Sequence, residues 1–312
     1  MAHPAQIARA AALIQSGGVV AFPTETVYGL GANALNPEAI ARIYEIKRRP
    51  SSSPLIVHVS SVHMAKQLVT HWPLAADQLA AQFWPGPLTL VLPKSDAVPF
   101  ALTAGLATVG LRMPNHPVAL ALIEQSGLPI AAPSANRFMG LSPTTAEHVA
   151  KSLGDRVDLI LDDGPSRIGI ESTVLSLAEN KPTLLRPGMI SQAQIEAIIG
   201  PVALPDNTGS GSAHPSPGLH ERHYAPLTPL YLVESSSMIP NSGRGVYLYL
   251  SEAPAEIHSI PMPNAAAPYA ELLYSTLHRC DEANYDWIAV EAPPRSPGWA
   301  GIHDRLLRAS FR

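Results

Sequence analysis

NPEAIARIYEIKRRPSSSPLIVHV, residues 36 to 59, decides the fold class. Asn36-Pro37 places a proline at the first helical position, where its missing N–H costs little. The apolar spacing that follows predicts a helix over 37–47. That helix is expected to stop at Lys47-Arg48-Arg49-Pro50, because the residue before a proline avoids helical geometry. Leu55 to Val59 is a short, β-branched apolar run, the mark of a buried strand. Helix, polar turn and buried strand in one stretch are a unit of an α/β protein.

The pattern repeats on both sides of this unit. Val19–Phe22, Leu88–Leu92, Thr108–Leu111, Ile130–Ala132 and Leu159–Leu161 read as buried strands. Residues 118–126, 144–153 and 191–199 read as helices, with Thr144 and Ser191 as N-caps. The first helix is closed by Gly17 and Gly18, and Arg9 and Gln15 interrupt it, so it is not expected to be a signal peptide. PVALPDNTGSGSAHPSPG, residues 201 to 218, has no hydrophobic period and reads as a linker or loop. Beyond it, Leu230–Val233, Gly245–Leu250 and Trp287–Glu291 are expected strands, and residues 266–280 and 302–309 expected helices. The division is therefore a larger α/β domain over 1–200, a linker over 201–227, and a smaller α/β domain over 228–312.

Bulk properties narrow the chemistry. The chain has 312 residues, a net charge of −4 and one cysteine, Cys280. The length suggests about two domains at roughly 150 residues each. A single cysteine excludes an internal disulfide framework and points to a cytoplasmic, reducing setting. The negative charge argues against a surface that grips nucleic acid all over. No apolar run reaches the ~18 residues of a membrane span. There is no Walker phosphate loop and no nucleophile elbow. His220-Glu221-Arg222-His223 lacks the spacing of a helical zinc motif. Asp162-Asp163 reads first as a turn.

Other polar motifs gather near turns. PTETVYGLG (Pro23 to Gly31) alternates Thr-x-Thr-x-Tyr as a strand with one polar face would, and Gly29 and Gly31 permit close backbone approach. Lys47 and Arg49 can converge on one anion; the same cations also suit a solvated helix end. Ser134 and Asn136 follow the strand 130–132, where open α/β sheets bind ligands, and an ordinary Asx or Ser turn would look the same. Arg112, Ser172 and Arg186 stand at expected strands, fit either for an anion or for a structural salt bridge.

Together and in this order, these motifs resemble the YrdC-like domain of threonylcarbamoyl-AMP synthases. The resemblance runs from about Gly17 to Arg186, with Lys47/Arg49 and Ser134/Asn136 as its most specific marks. Ser216-Pro217-Gly218 and Arg222-His223-Tyr224-Ala225-Pro226 are similar to the linker of the two-domain members. Residues 270–280, with Asp304-Arg305-Leu306 and Arg308-Ala309, resemble their C-terminal domain. The implied fold is a twisted mixed sheet with flanking helices plus a smaller Rossmann-like α/β domain.

The implied activity joins L-threonine, bicarbonate and ATP, with Mg2+ carried by the ATP and no metal ligand from the protein. The product would go to a tRNA threonylcarbamoyltransferase that modifies the adenosine beside the anticodon. By resemblance, Thr26, His58, Arg112 and Ser172 contact threonine. Lys47, Arg49, Ser53, Thr108, Ser134, Asn136, Thr144, Arg186 and Tyr224 surround ATP, with Lys47 and Arg49 catalytic. Ser53 replaces a frequent Asn, Arg137-Phe138-Met139-Gly140 replaces a stretch that often holds a serine, and Leu219-His220-Glu221 is less basic than usual. Two other readings stand beside this one. An RNA-binding module without chemistry is motivated by Lys47-Arg48-Arg49 and opposed by the net charge. A carbamoyl-adenylate enzyme of hydrogenase maturation would need zinc-finger and acylphosphatase-like segments.

Overall fold

The computed structural model describes residues 3–205 and 223–310. Ser216 to Gly218 and His220 to Arg222 of the expected linker lie outside the described residues. Among the described residues, nine strands form one sheet: β1 (Val20–Phe22), β2 (Gly29–Asn33), β3 (Ile56–His58), β4 (Leu88–Pro93), β5 (Thr108–Arg112), β6 (Ile130–Ala131), β7 (Leu159–Ile160), β8 (Thr173–Ser176) and β9 (Thr183–Arg186). Their order is β7-β1-β2-β6-β3-β5-β4-β8-β9. The sheet is mixed, since β3 runs parallel to β5 and antiparallel to β6. A second sheet joins β10 (Leu230–Val233), β11 (Gly245–Tyr249), β12 (Ser259–Pro261) and β13 (Trp287–Glu291) in the order β10-β13-β11-β12, all parallel.

The helix Pro37–Lys47 forms as expected, with the Asn36 side chain capping Glu38 and Ala39. Its end has a different cause from the proline. Arg48 adopts the left-handed conformation, φ 52°, and closes the helix itself. Two further expectations are corrected. Residues 24–28 form a loop, because Thr24 Oγ1 accepts from the Thr26 and Val27 amides and so turns the chain before β2. The cap of the helix Ala146–Leu153 is Thr145, whose side chain accepts from His148 N. Thr144 lies one residue outside.

The larger core packs the helix Pro37–Lys47 and the helix Leu74–Phe83 on the big sheet, through residues such as Ile40, Ile43, Leu79 and Leu90. Ile195, on the helix Gln192–Ile199, and Val202 belong to it too, and Ala203 bonds to Pro182 and Leu184. The first domain therefore extends past residue 200. A second core mixes Val27, Leu141, Ile170 and Tyr224 with Tyr269, Leu277, Ile302 and Leu306. The smaller domain is thus seated on the loops that follow the big sheet. Among the described residues, no helix is long and apolar enough to cross a membrane.

Candidate active site

A cavity opens where the loop 24–28, the ends of β3 and β5, and the turns at Ser134 and Ser172 meet. It encloses about 550 Å³ up to and including its open mouth. Its lining includes Thr26, His58, Arg112 and Ser172 together with Arg49, Ser134, Arg186 and Tyr224. Eight of the thirteen residues expected from sequence thus line one hollow.

Register sets His58 and Arg112 side by side. In the parallel pair, His58 of β3 lies opposite Arg112 of β5. Phe22 stands edge-on to His58 at 6.1 Å, and it fits because a Cβ on Gly31 would meet its ring at 2.6 Å. Burial, with Arg112 beside it, lowers the His58 pKa from 6.5 to about 3, so the ring is neutral. Its Nδ1 has no hydrogen-bond partner among the described residues. Arg112 donates to Thr26 Oγ1 at 2.8 Å and to Gly86 O at 3.3 Å. Its Nη2 lies 2.7 Å from Glu25 Oε1, an ion pair set off the hydrogen-bond axis. Glu25 was given no role from the sequence; only the tertiary meeting of its loop with β5 reveals it.

Another stretch of the wall is built on a network of hydroxyls and guanidinium groups. Ser172 stands just before β8, not on it, and its hydroxyl is 2.8 Å from Thr89 Oγ1. Arg186, at the end of β9, donates to Ser172 Oγ and O, both at 3.1 Å, and to the Tyr224 hydroxyl at 3.4 Å. Tyr224 is buried with φ 58°, a left-handed backbone that is unusual for a side chain of this size. The chain is held there by Ala225 N donating to Met139 O. Arg49 donates to Ser53 O and Pro54 O, and burial lowers its pKa to about 10.

Lys47 and Asn136 stand behind this wall. The Lys47 ammonium donates to Ser134 O and Asn136 O at 2.5 Å and to Asn136 Oδ1 at 3.2 Å. Burial first, and Arg49 second, pull its pKa well below the usual lysine value. The Asn136 side chain also accepts from Ser134 Oγ and donates to Gly140 O. Thr108 lies at the far end of β5 from Arg112, in a second hollow with Pro54, Val91, Gly110 and Val174; the two hollows share Ile56. Thr144 turns to His148, its N–H donating to Nδ1 at 3.3 Å.

Both carboxylates nearest the cavity are engaged, Glu25 with Arg112 and Glu171 with Arg305. Among the described residues, no cluster of three His, Cys, Asp or Glu could hold a metal. An array of arginines, hydroxyls and paired carboxylates suits an anionic substrate.

Two family models match. One, described as Telomere recombination (Sua5_yciO_yrdC), covers residues 12–188. The other, described as threonylcarbamoyl-AMP synthase, C-terminal domain, covers residues 190–310. The threonylcarbamoyl-AMP synthase of Bacillus subtilis (strain 168) is 47% identical over 321 residues, 98% of this chain and 93% of its own length. The structure of Pyrococcus abyssi Sua5 complexed with L-threonine superimposes with a TM-score of 0.90 at 39% identity, covering 97% of this chain and 94% of that one. Full-length HypF, at 22% identity and a TM-score of 0.52 over 58% of this chain and 28% of its own, shares the fold alone.

Proposed function

Because this chain belongs to the threonylcarbamoyl-AMP synthase family, we propose that its cavity acts as a nucleotidyltransferase site, joining L-threonine, bicarbonate and ATP. The carrying observation is a single cavity lined by Thr26, His58, Arg112 and Ser172 together with Arg49, Ser134, Arg186 and Tyr224. The threonine carboxylate pairs with Arg112, which a carboxylate, that of Glu25, already approaches at 2.7 Å. Thr26 and Ser172 bond the threonine hydroxyl, while Val27 and Ala132 offer apolar surface to its methyl group. Neutral His58 adds no charge beside Arg112.

The amine of threonine takes up bicarbonate as a carbamate with loss of water. A carbamate oxygen bonds to the α-phosphorus of ATP, and the bond to the bridging oxygen breaks to release pyrophosphate. Both reactants are anions, so Arg49 and Arg186 offset their repulsion in a low-dielectric pocket. Magnesium arriving on the phosphates supplies the remaining charge on the leaving group. Lys47 fixes the Ser134–Asn136 turn that faces the phosphates. The adenine lies over Gly110 and Val91 in the second hollow, within reach of Thr108 and with Ser53 at its approach, while Thr144 stands apart, turned to His148. Tyr224, which lines the cavity, moves outward as ATP enters, and its return keeps water from a labile adenylate.

We place the reaction in the cytoplasm, upstream of a transferase that delivers the threonylcarbamoyl group to tRNA, with at most weak tRNA contact by this chain. The test is pyrophosphate release from ATP and bicarbonate with L-threonine, L-serine or no amino acid, with Arg49→Ala as control. Threonine-dependent release, with serine weaker by about 10- to 200-fold for one missing methyl, supports the reading. Release indifferent to the amino acid, or unaffected by Arg49→Ala, refutes it.

A further inference from the structure

Resting on the synthase reading above, we propose that Arg305 of the second domain is a positioning residue for the reaction, setting the cavity wall formed by Ser172, Arg186 and Tyr224. Arg305 lies on the helix Ala300–Ser310 and is 1% exposed. Its guanidinium crosses to the first domain. Nε donates to Glu171 Oε2 at 2.7 Å, Nη2 to Glu171 O at 3.1 Å, and Nη1 to Pro187 O at 3.0 Å. The same group sits over the Tyr224 ring at 5.1 Å. Glu171 adjoins Ser172 and Pro187 adjoins Arg186, so one planar group fixes three segments that end at the cavity.

The anchor itself is held from both domains. Glu171 accepts from the Ser142 hydroxyl at 2.5 Å and from the Tyr274 hydroxyl at 3.1 Å. Burial alone would raise its pKa, but Arg305, Arg186 and Ser142 hold the carboxyl below the usual carboxylate range. It is therefore a fixed anion engaged by the second domain. Backbones also meet closely here. A Cβ on Gly301 would lie 2.8 Å from Gly188 Cα, and one on Gly169 would lie 2.2 Å from Ala270 O. Val27, Leu141 and Ile170 already join the domains through apolar contact. The arginine adds direction to that contact, because its donors are set in a rigid fork that a lysine lacks.

The test uses the full chain in Arg305→Lys and Tyr274→Phe forms. Thermal midpoints and the KM and kcat for threonine and ATP are measured together. Lysine keeps the charge on Glu171 and loses the fork. The expected result is a folded protein whose kcat/KM for both substrates falls by about 10- to 100-fold, as for a misplacement on the order of 1 Å. Folded Arg305→Lys with wild-type constants overturns the proposal. If Arg305→Lys does not fold, Tyr274→Phe decides. It removes one hydroxyl from Glu171 and should raise both KM values about 5-fold in a protein that still unfolds cooperatively, at a slightly lower midpoint. Wild-type KM values there overturn the proposal. A wild-type protein without threonine-dependent turnover overturns the synthase reading, and the proposal with it, so the two failures are told apart.

Discussion

Replacing Lys47 by methionine tests whether the family's marker lysine is a structural tie as well as a phosphate-side cation. Methionine keeps an apolar stem of similar length and removes only the ammonium group. Ser134 O and Asn136 O then lose this donor, and Asn136 Oδ1 keeps only the Ser134 hydroxyl. Bonds to a charged donor contribute about 1.5–3 kcal/mol each. The cost of burying the ammonium disappears with it and offsets much of that sum. A net loss of about 3 kcal/mol is expected, within the range for breaking a buried charged contact. For a domain of this size that lowers the thermal midpoint by about 6–12 °C. The assay is calorimetric unfolding of wild type and Lys47→Met, without and with ATP. An unchanged midpoint without ATP would refute the claim that Lys47 fastens the Ser134–Asn136 turn. A further consequence is that activity lost in a Lys47 variant reports folding and chemistry together; Arg49 also donates to Ser53 O and Pro54 O, so the Arg49→Ala control is read beside its own thermal midpoint.

Other perturbations reach separate parts of the account. Arg112→Gln leaves Glu25 buried without its cation and removes the carboxylate partner; kcat/KM for threonine should fall by about 100-fold or more, a lost charged pair, while ATP protection against unfolding persists. His58 gives a pH signature: its folded pKa is depressed from 6.5 to about 3, so the unfolded chain binds the proton first as pH falls. Its contribution is complete above about pH 6.5 and is lost toward about pH 3, at up to ~1.4 kcal/mol per pH unit. Urea midpoints at pH 7 and pH 5 should differ less in His58→Gln than in wild type; equal slopes would show that His58 is not buried neutral. Gly301→Ala puts a Cβ 2.8 Å from Gly188 Cα, and a loss of about 1–3 kcal/mol is expected from overpacking. A gain of the ~1 kcal/mol that helix propensity alone would give would show that this helix is not seated against the turn.

Local features of the fold were legible in the sequence. Asn36-Pro37 announced its helix, the apolar runs announced β1, β3, β4 and β5, and Ser191 announced its cap, because caps and buried runs are decided by neighbours in the chain. The Thr24–Tyr28 alternation misled because a hydroxyl bonding backbone two or three residues on competes with the strand ladder. At the site, the motif residues facing the cavity were legible as types, while their partners were not. Glu25 meets Arg112 from 87 positions away and Arg305 meets Glu171 from 134 away, distances at which spacing carries no signal. Lys47 showed its charge in the sequence but not its direction, which depends on where the turn after β6 passes the helix end.

The account's central claim is the reaction itself, and labelled bicarbonate tests it most directly. The full chain is incubated with ATP, magnesium, L-threonine and carbon-labelled bicarbonate, and the nucleotide products are separated and weighed by mass spectrometry. The account requires an AMP adduct that carries both threonine and the labelled carbon, formed in step with pyrophosphate. Pyrophosphate release with no labelled adduct, or an adduct of AMP and threonine lacking the label, would contradict it.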